Sequence, residues 1–175
     1  MRFESHRWTS FRTCSVSELR VGIGVDAHAF EDGVRLVLGG VAIEHPRGLA
    51  GHSDGDVIAH ALTDAVLGAA GLGDIGALFP SGDPRWHGAD SLHLLRDAYA
   101  QVRAAGFALV NADCVLVGEQ PRIAQHREEM RRRLADALGV EPERVNVRAT
   151  TTDLLGFTGR GEGLAAEAVA LLERA

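Results

Sequence analysis

Lysine is absent from this 175-residue chain, and all eighteen cationic residues are arginines. Chemistry that proceeds through a lysine Schiff base is therefore excluded. The formal net charge is −6, and the basic run at 131–133 is flanked by Glu128, Glu129 and Asp136. An acidic chain whose basic residues are interleaved with carboxylates is not expected to bind nucleic acid.

Cysteine and long apolar runs are also scarce. Cys14 and Cys114 lie far apart and form no C-x-x-C pair, so neither a disulfide framework nor a cysteine zinc site is predicted. No apolar run reaches the roughly 18 residues that a membrane helix needs. Residues 1–19 lack the apolar middle of a signal peptide, and we expect them to be a dispensable N-terminal extension. Together these absences favour a bacterial cytoplasmic protein that does not bind membranes.

The length and the 46% hydrophobic content predict one domain with one core, covering residues 20–175. Strand and helix periodicities predict an α+β fold. In the first half, the expected elements are a strand at 20–28, a hairpin at 34–43, a loop at 45–51 and a helix at 54–73 capped by Asp54. A turn-rich segment at 71–84 and a helix at 91–105 follow. The second half is expected to contain a strand at 107–117, a helix at 121–138 opened by Pro121 and ended by Gly139, and a strand at 145–152. Propensity favours a helix at 162–174, but alternation also allows a strand.

Three side chains have the spacing of a metal site. Asp26 and His28 are two residues apart on a predicted strand, so both point to the same face. His60 lies on the predicted helix that follows. One carboxylate and two imidazoles suit Zn²⁺ and leave a fourth coordination position open, as a catalytic zinc requires. The alternative is a buried, hydrogen-bonded His60 beside an ordinary strand end.

Two further segments carry groups that bind phosphate. Thr150, Thr151, Thr152 and Asp153 end a strand before a glycine-rich turn that contains Arg160. Hydroxyls, backbone N–H groups and an arginine can hold a phosphate, and the aspartate can share a hard cation with it. Arg122 lies at a predicted strand-to-helix junction, another place that favours anions. A threonine-rich strand without a ligand is the alternative.

These pieces occur in an order that resembles a known family. The runs HSDGD (52–56), LGDIG (72–76), FP (79–80), GADS (88–91) and ATTTDLLGFTGRGEG (149–163) are similar to those of the 2-C-methyl-D-erythritol 2,4-cyclodiphosphate synthases of the non-mevalonate isoprenoid pathway. The resemblance covers residues 20–175. It implies a mixed sheet of about four to five strands backed by helices, a strand at 162–174, and a homotrimer with active sites between subunits.

The resemblance also implies roles for particular residues. Zinc, one ion per subunit, would be held by Asp26, His28 and His60, and His52 and Thr151 would stabilise the transition state. Asp26, His28 and the remaining implied residues would contact the substrate; these are His52, Ser53, Asp74, Ile75, Gly76, Phe79, Pro80, Ser81, Gly82 and Asp83 around the methylerythritol phosphate, Gly118, Glu119, Gln120, Pro121, Arg122, Ile123, Ala124, Thr150, Thr151, Thr152 and Asp153 around the cytidine diphosphate, and Phe157 and Arg160 near the subunit contacts.

The implied reaction is that of a phosphorus–oxygen lyase. The 2-phosphate of 4-diphosphocytidyl-2-C-methyl-D-erythritol 2-phosphate attacks its own β-phosphorus and expels CMP, which requires positioning and charge neutralisation. A Mg²⁺ or Mn²⁺ ion near Asp153 would bridge the diphosphate. The chain has Asp153 where relatives often have glutamate, Arg122 and Arg148 where they have lysine, and Ser81 where some have aspartate.

Two other functions use the same residues. A zinc phosphohydrolase would use the open coordination position to activate water. A trimeric protein that binds isoprenoid diphosphates would hold them in a central channel lined by the last strand. If the chain is a trimer, either as a synthase or as such a binding protein, one face of the last strand would lie against the threefold axis. That face consists of Leu164, Ala166, Ala168 and Ala170, and Arg160 and Glu167 would pair near the axis.

Overall fold

The computed structural model describes residues 18–175, and residues 1–17 of the predicted extension lie outside this range. The first strand begins at Leu19, and Glu18 pairs with Arg174 at 2.7 Å. The elements in chain order are β1 (Leu19–Asp32), β2 (Leu36–Leu38), β3 (Val41–Ile43), β4 (Arg47–Leu49), α1 (Val57–Ala70), α2 (Ile75–Leu78), a 3₁₀ turn (Pro84–Trp86), α3 (Ser91–Ala104), β5 (Phe107–Val117), α4 (Arg127–Leu138), a 3₁₀ turn (Pro142–Arg144), β6 (Val145–Thr150), α5 (Gly156–Gly159) and β7 (Gly163–Arg174).

The main sheet contains five strands in the order β4-β1-β7-β5-β6, and β2 and β3 form a separate hairpin. β7 is antiparallel to both β1 and β5, whereas β5 and β6 are parallel. One core cluster joins the sheet to α1, α3 and α4. The α+β prediction and the mixed sheet are therefore confirmed in a single domain.

The last segment is a strand, as the resemblance implies, although alanine and glutamate favour a helix. Pairing along both of its edges outweighs that propensity. The predicted orientation of its faces is wrong, however. Leu164, Ala166, Ala168 and Ala170 are at most 1% exposed and lie in the core of their own chain, so they cannot line a threefold axis. The outward face of β7 carries Glu167 and Val169 instead.

Two glycines allow α1 to lie directly on β1. A Cβ atom at Gly22 would come within 2.0 Å of the Ala65 carbonyl oxygen, and one at Gly24 within 1.9 Å of the Ala61 carbonyl oxygen. Glycine is therefore required at both positions for close packing. Asp26 and His28 continue the same face of the strand, because side chains alternate along it. The close contact thus brings the start of α1 to these two side chains.

The start of α1 differs from the prediction. Asp56, not Asp54, caps the helix by accepting hydrogen bonds from the backbone N–H groups of Ile58 and Ala59. The same carboxylate accepts from Gly39 and Gly40 in the β2–β3 turn, at 2.9 and 2.6 Å. Burial raises the pKa of Asp56 to about 6, while these backbone donors favour its ionised form. Asp56 therefore ties the hairpin to the helix.

Two other boundaries were predicted wrongly. The loop expected at 45–51 contains β4, which pairs with the end of β1 because that strand continues to Asp32. The helix expected to open at Pro121 begins at Arg127, and Glu128 and Glu129 occupy its first turn, where carboxylates are favourable. Its end at Gly139, in the left-handed conformation, is confirmed. Within residues 18–175, every helix is too short or too polar to cross a bilayer.

Candidate metal centre and flanking cavities

The three predicted metal ligands meet where β1 ends against the start of α1. The Asp26 Oδ2 atom lies 2.9 Å from both His28 Nε2 and His60 Nδ1, and the two imidazole nitrogens are 3.3 Å apart. One ligand atom from each side chain falls within 4.8 Å of the others. The predicted convergence of these residues is confirmed.

The electrostatics of the three residues suit a cation. Burial alone raises the pKa of Asp26, but hydrogen bonds and charge from His28 and His60 outweigh it and hold the pKa well below its ordinary value. Asp26 in turn raises the pKa of His28, against the opposing effect of burial. Asp26 is therefore a carboxylate, the form that binds metal.

The ring of His28 is oriented by its second nitrogen. Its Nδ1–H group donates to the carbonyl oxygen of Ala50, and this contact directs the Nε2 atom at Asp26 and His60. Backbone carbonyls commonly orient metal-binding histidines in this way. The donor set, one carboxylate and two imidazoles, fits Zn²⁺ and leaves a position for substrate, while the identity of the metal stays a prediction.

A cavity of about 380 Å³ opens directly onto this triad. Most of the residues that the resemblance places around the methylerythritol phosphate line it, namely His52, Ser53, Ile75, Gly76, Phe79, Pro80, Ser81 and Gly82. Asp74 and Asp83 do not. The Asp74 carboxylate caps α2 through the Ala77 N–H, and Asp83 pairs with Arg85. The contacts of these two carboxylates within the loop indicate that they stabilise its conformation.

The loop beside this cavity is anchored to α1. The Asp64 carboxylate accepts a hydrogen bond of 2.7 Å from the backbone N–H of Ile75. Burial raises the pKa of Asp64, and the charges of Asp74 and Asp26 act in the same direction. Asp64 was not predicted as part of the site, although its position four residues after His60 puts it on the same face of the helix and was the available signal.

Trp86 and Leu94 also line the cavity and were not predicted. Leu94 belongs to the apolar stripe of α3, so its pattern indicates only core packing. Trp86 packs edge-on against Phe79, and its buried indole N–H has no acceptor among residues 18–175. A large aromatic residue in a turn-rich loop was the available signal, since such residues are commonly found at binding sites.

A second cavity, of about 540 Å³, lies at the carboxyl ends of β5 and β6. Its lining includes the predicted residues Gly118, Glu119, Gln120, Pro121, Arg122, Ile123, Ala124, Thr150 and Thr151, together with Arg127, Ala149 and Leu154, which were not predicted. Thr152 and Asp153 do not line it. Phe157 and Arg160 line neither cavity, and Arg160 pairs with Glu162 at 2.7 Å.

The threonine-rich turn has a defined backbone conformation. Asp153 and Leu154 have positive φ angles of 51° and 67°, and residues other than glycine adopt such backbone angles at some cost in free energy. Glu119 holds this turn, because its Oε1 atom accepts from the backbone N–H groups of Thr152 and Leu154, each at 3.2 Å. Glu119 thus contributes to the second cavity as a support for the turn.

The two cavities share no lining residue. Both open at the end of the sheet where β7 begins, since His28 and Val117 pair with neighbouring residues of that strand, Leu164 and Ala165. His52 and Thr151, which were predicted to act on one transition state, therefore line separate cavities in a single chain.

The fold and the site define a single-domain α+β protein with a candidate carboxylate–histidine metal centre and two cavities at one end of the sheet. The chain belongs to the YgbB family, whose model matches residues 19–173. A 2-C-methyl-D-erythritol 2,4-cyclodiphosphate synthase from Rubrobacter xylanophilus is 62% identical over 159 residues, which span 89% of this chain and 96% of the relative. The protein of that name from an Escherichia coli strain is 54% identical over 157 residues, spanning 90% and 99%.

Solved structures agree with this assignment. The bifunctional IspDF of Campylobacter jejuni superposes with a TM-score of 0.88 at 45% identity, over 91% of this chain; the chain spans 43% of that longer protein. A 2C-methyl-D-erythritol-2,4-cyclodiphosphate synthase described as a CDP-bound form superposes with a TM-score of 0.79 at 41% identity, covering 87% of this chain and 99% of its own.

Proposed function

We propose that this chain converts 4-diphosphocytidyl-2-C-methyl-D-erythritol 2-phosphate to 2-C-methyl-D-erythritol 2,4-cyclodiphosphate with release of CMP. The observation that carries the proposal is the convergence of Asp26, His28 and His60 beside a cavity lined by the residues expected to contact the methylerythritol phosphate. Relatives with this activity in their names are 54–62% identical over nearly their full length. Residues 20–175 form the catalytic domain in this proposal, and placement in the cytoplasm stays a prediction.

The reaction is an internal displacement at phosphorus. A non-bridging oxygen of the 2-phosphate forms a bond to the β-phosphorus, and the bond from that phosphorus to the oxygen bridging the α-phosphate breaks. CMP leaves with that oxygen, and no water is consumed. Because nucleophile and leaving group belong to one molecule, the protein has to fold the substrate into a reactive geometry and offset its charge.

Residues of the first cavity hold the nucleophilic half of the substrate. Asp26, His28 and His60 would bind Zn²⁺, which supplies Lewis-acid polarisation of a phosphoryl oxygen when bound. The Ser53 hydroxyl and the His52 imidazole lie beside the triad and would contact the phosphate and the developing charge. Phe79 and Pro80 contribute the apolar wall that excludes water from the carbon skeleton.

Residues of the second cavity hold the leaving half. Arg122 and the backbone from Gly118 to Ala124 would contact the cytidine diphosphate, and the Thr151 hydroxyl would stabilise charge on it. The exposed Asp153 carboxylate lies near this hydroxyl, with 3.5 Å between Thr151 Oγ1 and Asp153 Oδ1. An oxygen ligand in that place suits Mg²⁺ or Mn²⁺, which would neutralise the diphosphate. A solved relative is described as a CDP-bound form, which supports binding of a cytidine diphosphate by this chain.

We also propose that three chains assemble and that each active site combines the first cavity of one chain with the second cavity of a neighbour. Separate lining of the two cavities within one chain supports this arrangement. The uncovered face of the sheet supports it as well, since Val21, Ile23 and Val25 are 69%, 66% and 59% exposed. Adjacent exposed β-branched residues are typical of a surface that a partner covers. Arg160 and Phe157 would lie near the subunit contacts.

Product analysis tests the function directly. Purified protein with Zn²⁺ and Mg²⁺ is incubated with the substrate in ¹⁸O-labelled water, and the products are identified by phosphorus NMR and mass spectrometry. We expect CMP and an unlabelled cyclic diphosphate, with no inorganic phosphate. His60→Ala, the control, is expected to remain folded but inactive because a metal ligand is lost.

The same experiment separates the alternatives. An open-chain product that carries ¹⁸O would identify a phosphohydrolase and contradict the proposal. An unchanged substrate, together with tight binding of an isoprenoid diphosphate, would favour the alternative of a binding protein.

A further inference from the structure

One residue of the second cavity has a costly backbone conformation. Leu154 has a φ angle of 67°, in the left-handed region that disfavours residues with a Cβ atom. Among the residues that the structure describes, only Asp153 and Leu154 adopt it without being glycine, and aspartate tolerates it better than leucine does. Two positions further on, the chain has Gly156 at almost the same angle, 68°. A leucine in this place therefore calls for a function.

The turn around Leu154 is held by contacts of its backbone. The Leu154 N–H donates to the Glu119 Oε1 atom at 3.2 Å, and the Leu155 N–H donates to the Thr152 carbonyl oxygen at 3.0 Å. Gly159 lies against the same backbone, since a Cβ atom there would come within 2.2 Å of the carbonyl carbon of Leu154. These contacts fix the backbone of Leu154 without using its side chain.

The Leu154 side chain also gains little from packing in its own subunit. It is 73% exposed, so little of its apolar surface is removed from water. The residue nevertheless belongs to the lining of the second cavity. The other large aliphatic residue of that lining, Ile123, is 2% exposed and packs in the core. Leu154 is thus the large aliphatic side chain of this cavity whose surface is available to a ligand.

The rest of the lining supplies polar groups that complement this apolar surface. Arg122 and Arg127 contribute two guanidinium groups, and Thr150 and Thr151 contribute two hydroxyls, all of which suit phosphate. The Glu119 carboxylate is engaged by the backbone of the turn. An apolar side chain beside such polar groups fits a ligand that carries phosphate on a less polar body, as a nucleotide does.

We propose that Leu154 is a substrate-binding residue that packs against the nucleoside part of the cytidine diphosphate. The inference rests on the proposed function, which places that group in the second cavity. Binding covers the leucine side chain and offsets part of the free energy that the left-handed backbone costs. Because the same contact exists in the bound substrate and in the transition state, it strengthens binding without accelerating the displacement.

Substitutions at two adjacent leucines test the proposal. Leu154→Asn replaces the aliphatic group by an amide of similar size, and asparagine adopts the left-handed conformation more readily than leucine does. Leu154→Met keeps an apolar side chain. Leu155→Asn is the matched control, because Leu155 is also 73% exposed but has an ordinary φ angle of −86° and does not line the cavity.

Titration calorimetry with CDP and Mg²⁺ gives the affinity, and steady-state kinetics give KM and kcat. We expect Leu154→Asn to weaken CDP binding and to raise KM, each by about tenfold, because about half of a leucine side chain is covered on binding. The value of kcat should not change. Leu154→Met should lie within about threefold of the parent, and Leu155→Asn should equal it. Leu154→Asn should be at least as resistant to denaturant as the parent.

The other results contradict the proposal in separate ways. Parental CDP affinity in Leu154→Asn shows that the side chain does not contact the nucleotide, and an equal loss in Leu154→Met assigns the effect to the shape of the turn. An equal loss in Leu155→Asn, or dissociation of Leu154→Asn in sedimentation velocity, assigns the turn to contacts between chains. A lower denaturation midpoint for Leu154→Asn shows that the side chain packs in its own subunit.

Two further results are provided for. If Leu154→Asn does not fold, Leu154→Gly takes its place, since glycine suits the same φ angle. If the parent itself does not bind CDP, the second cavity of the proposed function is wrong, a result distinct from a parent and a variant that bind CDP equally well.

Discussion

At the scale of single residues, burial separates reactive side chains from inert ones. Cys114 is fully buried on β5 within the core. Burial raises the pKa of its thiol to about 12, and the charges of Asp113 and Asp56 add to the effect. The thiolate is the reactive form of cysteine. Cys114 is therefore a small core side chain without a chemical role.

We expect Cys114 to resist thiol reagents in the folded protein. In a Cys14→Ser variant, which leaves one thiol, a disulfide reagent at pH 8 should react only as the chain unfolds. Because burial both blocks access to the thiol and raises its pKa well above that pH, reaction in the folded protein should stay slow. Rapid labelling at pH 8 under native conditions would contradict the burial of this thiol. Addition of denaturant is the positive control.

A second prediction concerns Asp153. Asp153→Asn should raise the magnesium concentration that gives half-maximal activity by about tenfold, because an interaction with a charged partner is worth about 1.5 kcal/mol. The amide binds a hard cation more weakly than the carboxylate. Zinc content, measured by elemental analysis, should not change. Identical magnesium activation curves for the variant and the parent would remove Asp153 from the second metal site.

At the scale of elements, the contact between β1 and α1 builds the candidate metal centre. Gly24→Ala should destabilise the protein by about 1–3 kcal/mol, because the added methyl group overlaps the Ala61 carbonyl. Displacing the helix should also weaken zinc binding. Gly68→Ala is the matched control on α1, where a Cβ atom would come no closer than 3.9 Å to the Ile23 carbonyl oxygen. We expect it to stabilise the helix by about 0.5–1 kcal/mol.

Chemical denaturation and chelator competition measure both effects. Equal stability of Gly24→Ala and the parent would show that the glycine is not required for this contact.

These elements also show what a sequence can indicate. Alternation along β1 correctly placed Asp26 and His28 on one face, and helical spacing correctly placed His60, because both periodicities are local. The choice between Asp54 and Asp56 as helix cap depended on the Gly39 and Gly40 amides, which are distant in the chain. The faces of β7 could not be assigned from its alternation, since small residues on a central strand suit both a core and an interface.

At the scale of the whole molecule, sharing of active sites can be tested by complementation. His60→Ala disables the first cavity and Thr151→Ala the second, so neither homotrimer should be active. In mixed trimers formed by co-expression, a site built from two neighbours is intact when each contributes its unaltered cavity. With random mixing, each of the two cavities that form a site is unaltered in half of the cases. About a quarter of the parental activity should therefore be restored. Active sites contained in single chains would give no recovery at all.

A second test addresses the surface that is proposed to hold the chains together. Ile23→Glu should prevent assembly without unfolding the chain, because Ile23 is 66% exposed in the subunit and a charge in an apolar interface is costly. Val34→Glu, at a β-branched residue outside the sheet that is 37% exposed, is the matched control. Sedimentation velocity should give one chain mass for Ile23→Glu and three for the control. A fully active Ile23→Glu monomer would refute shared active sites.

The structure gives Arg160 a different partner from the expected Glu167. Arg160 pairs with Glu162 of its own chain at the exposed surface, and surface pairs of this kind contribute about 0–1 kcal/mol. Glu167 lies on the outward face of β7, opposite Val25 and Val115. Loss of Glu167 would therefore not leave Arg160 without a partner.

The alternation of β1 has a genetic consequence. The same strand turns Gly22, Gly24, Asp26 and His28 inward and Val21, Ile23 and Val25 outward. A deletion of one codon early in this strand shifts every later side chain to the opposite face. It would turn the candidate metal ligands Asp26 and His28 away from His60 and put bulky side chains where α1 requires glycine. Point substitutions can affect one role at a time, whereas a one-residue deletion removes chemistry and assembly together, so the length of this strand is constrained more tightly than its composition.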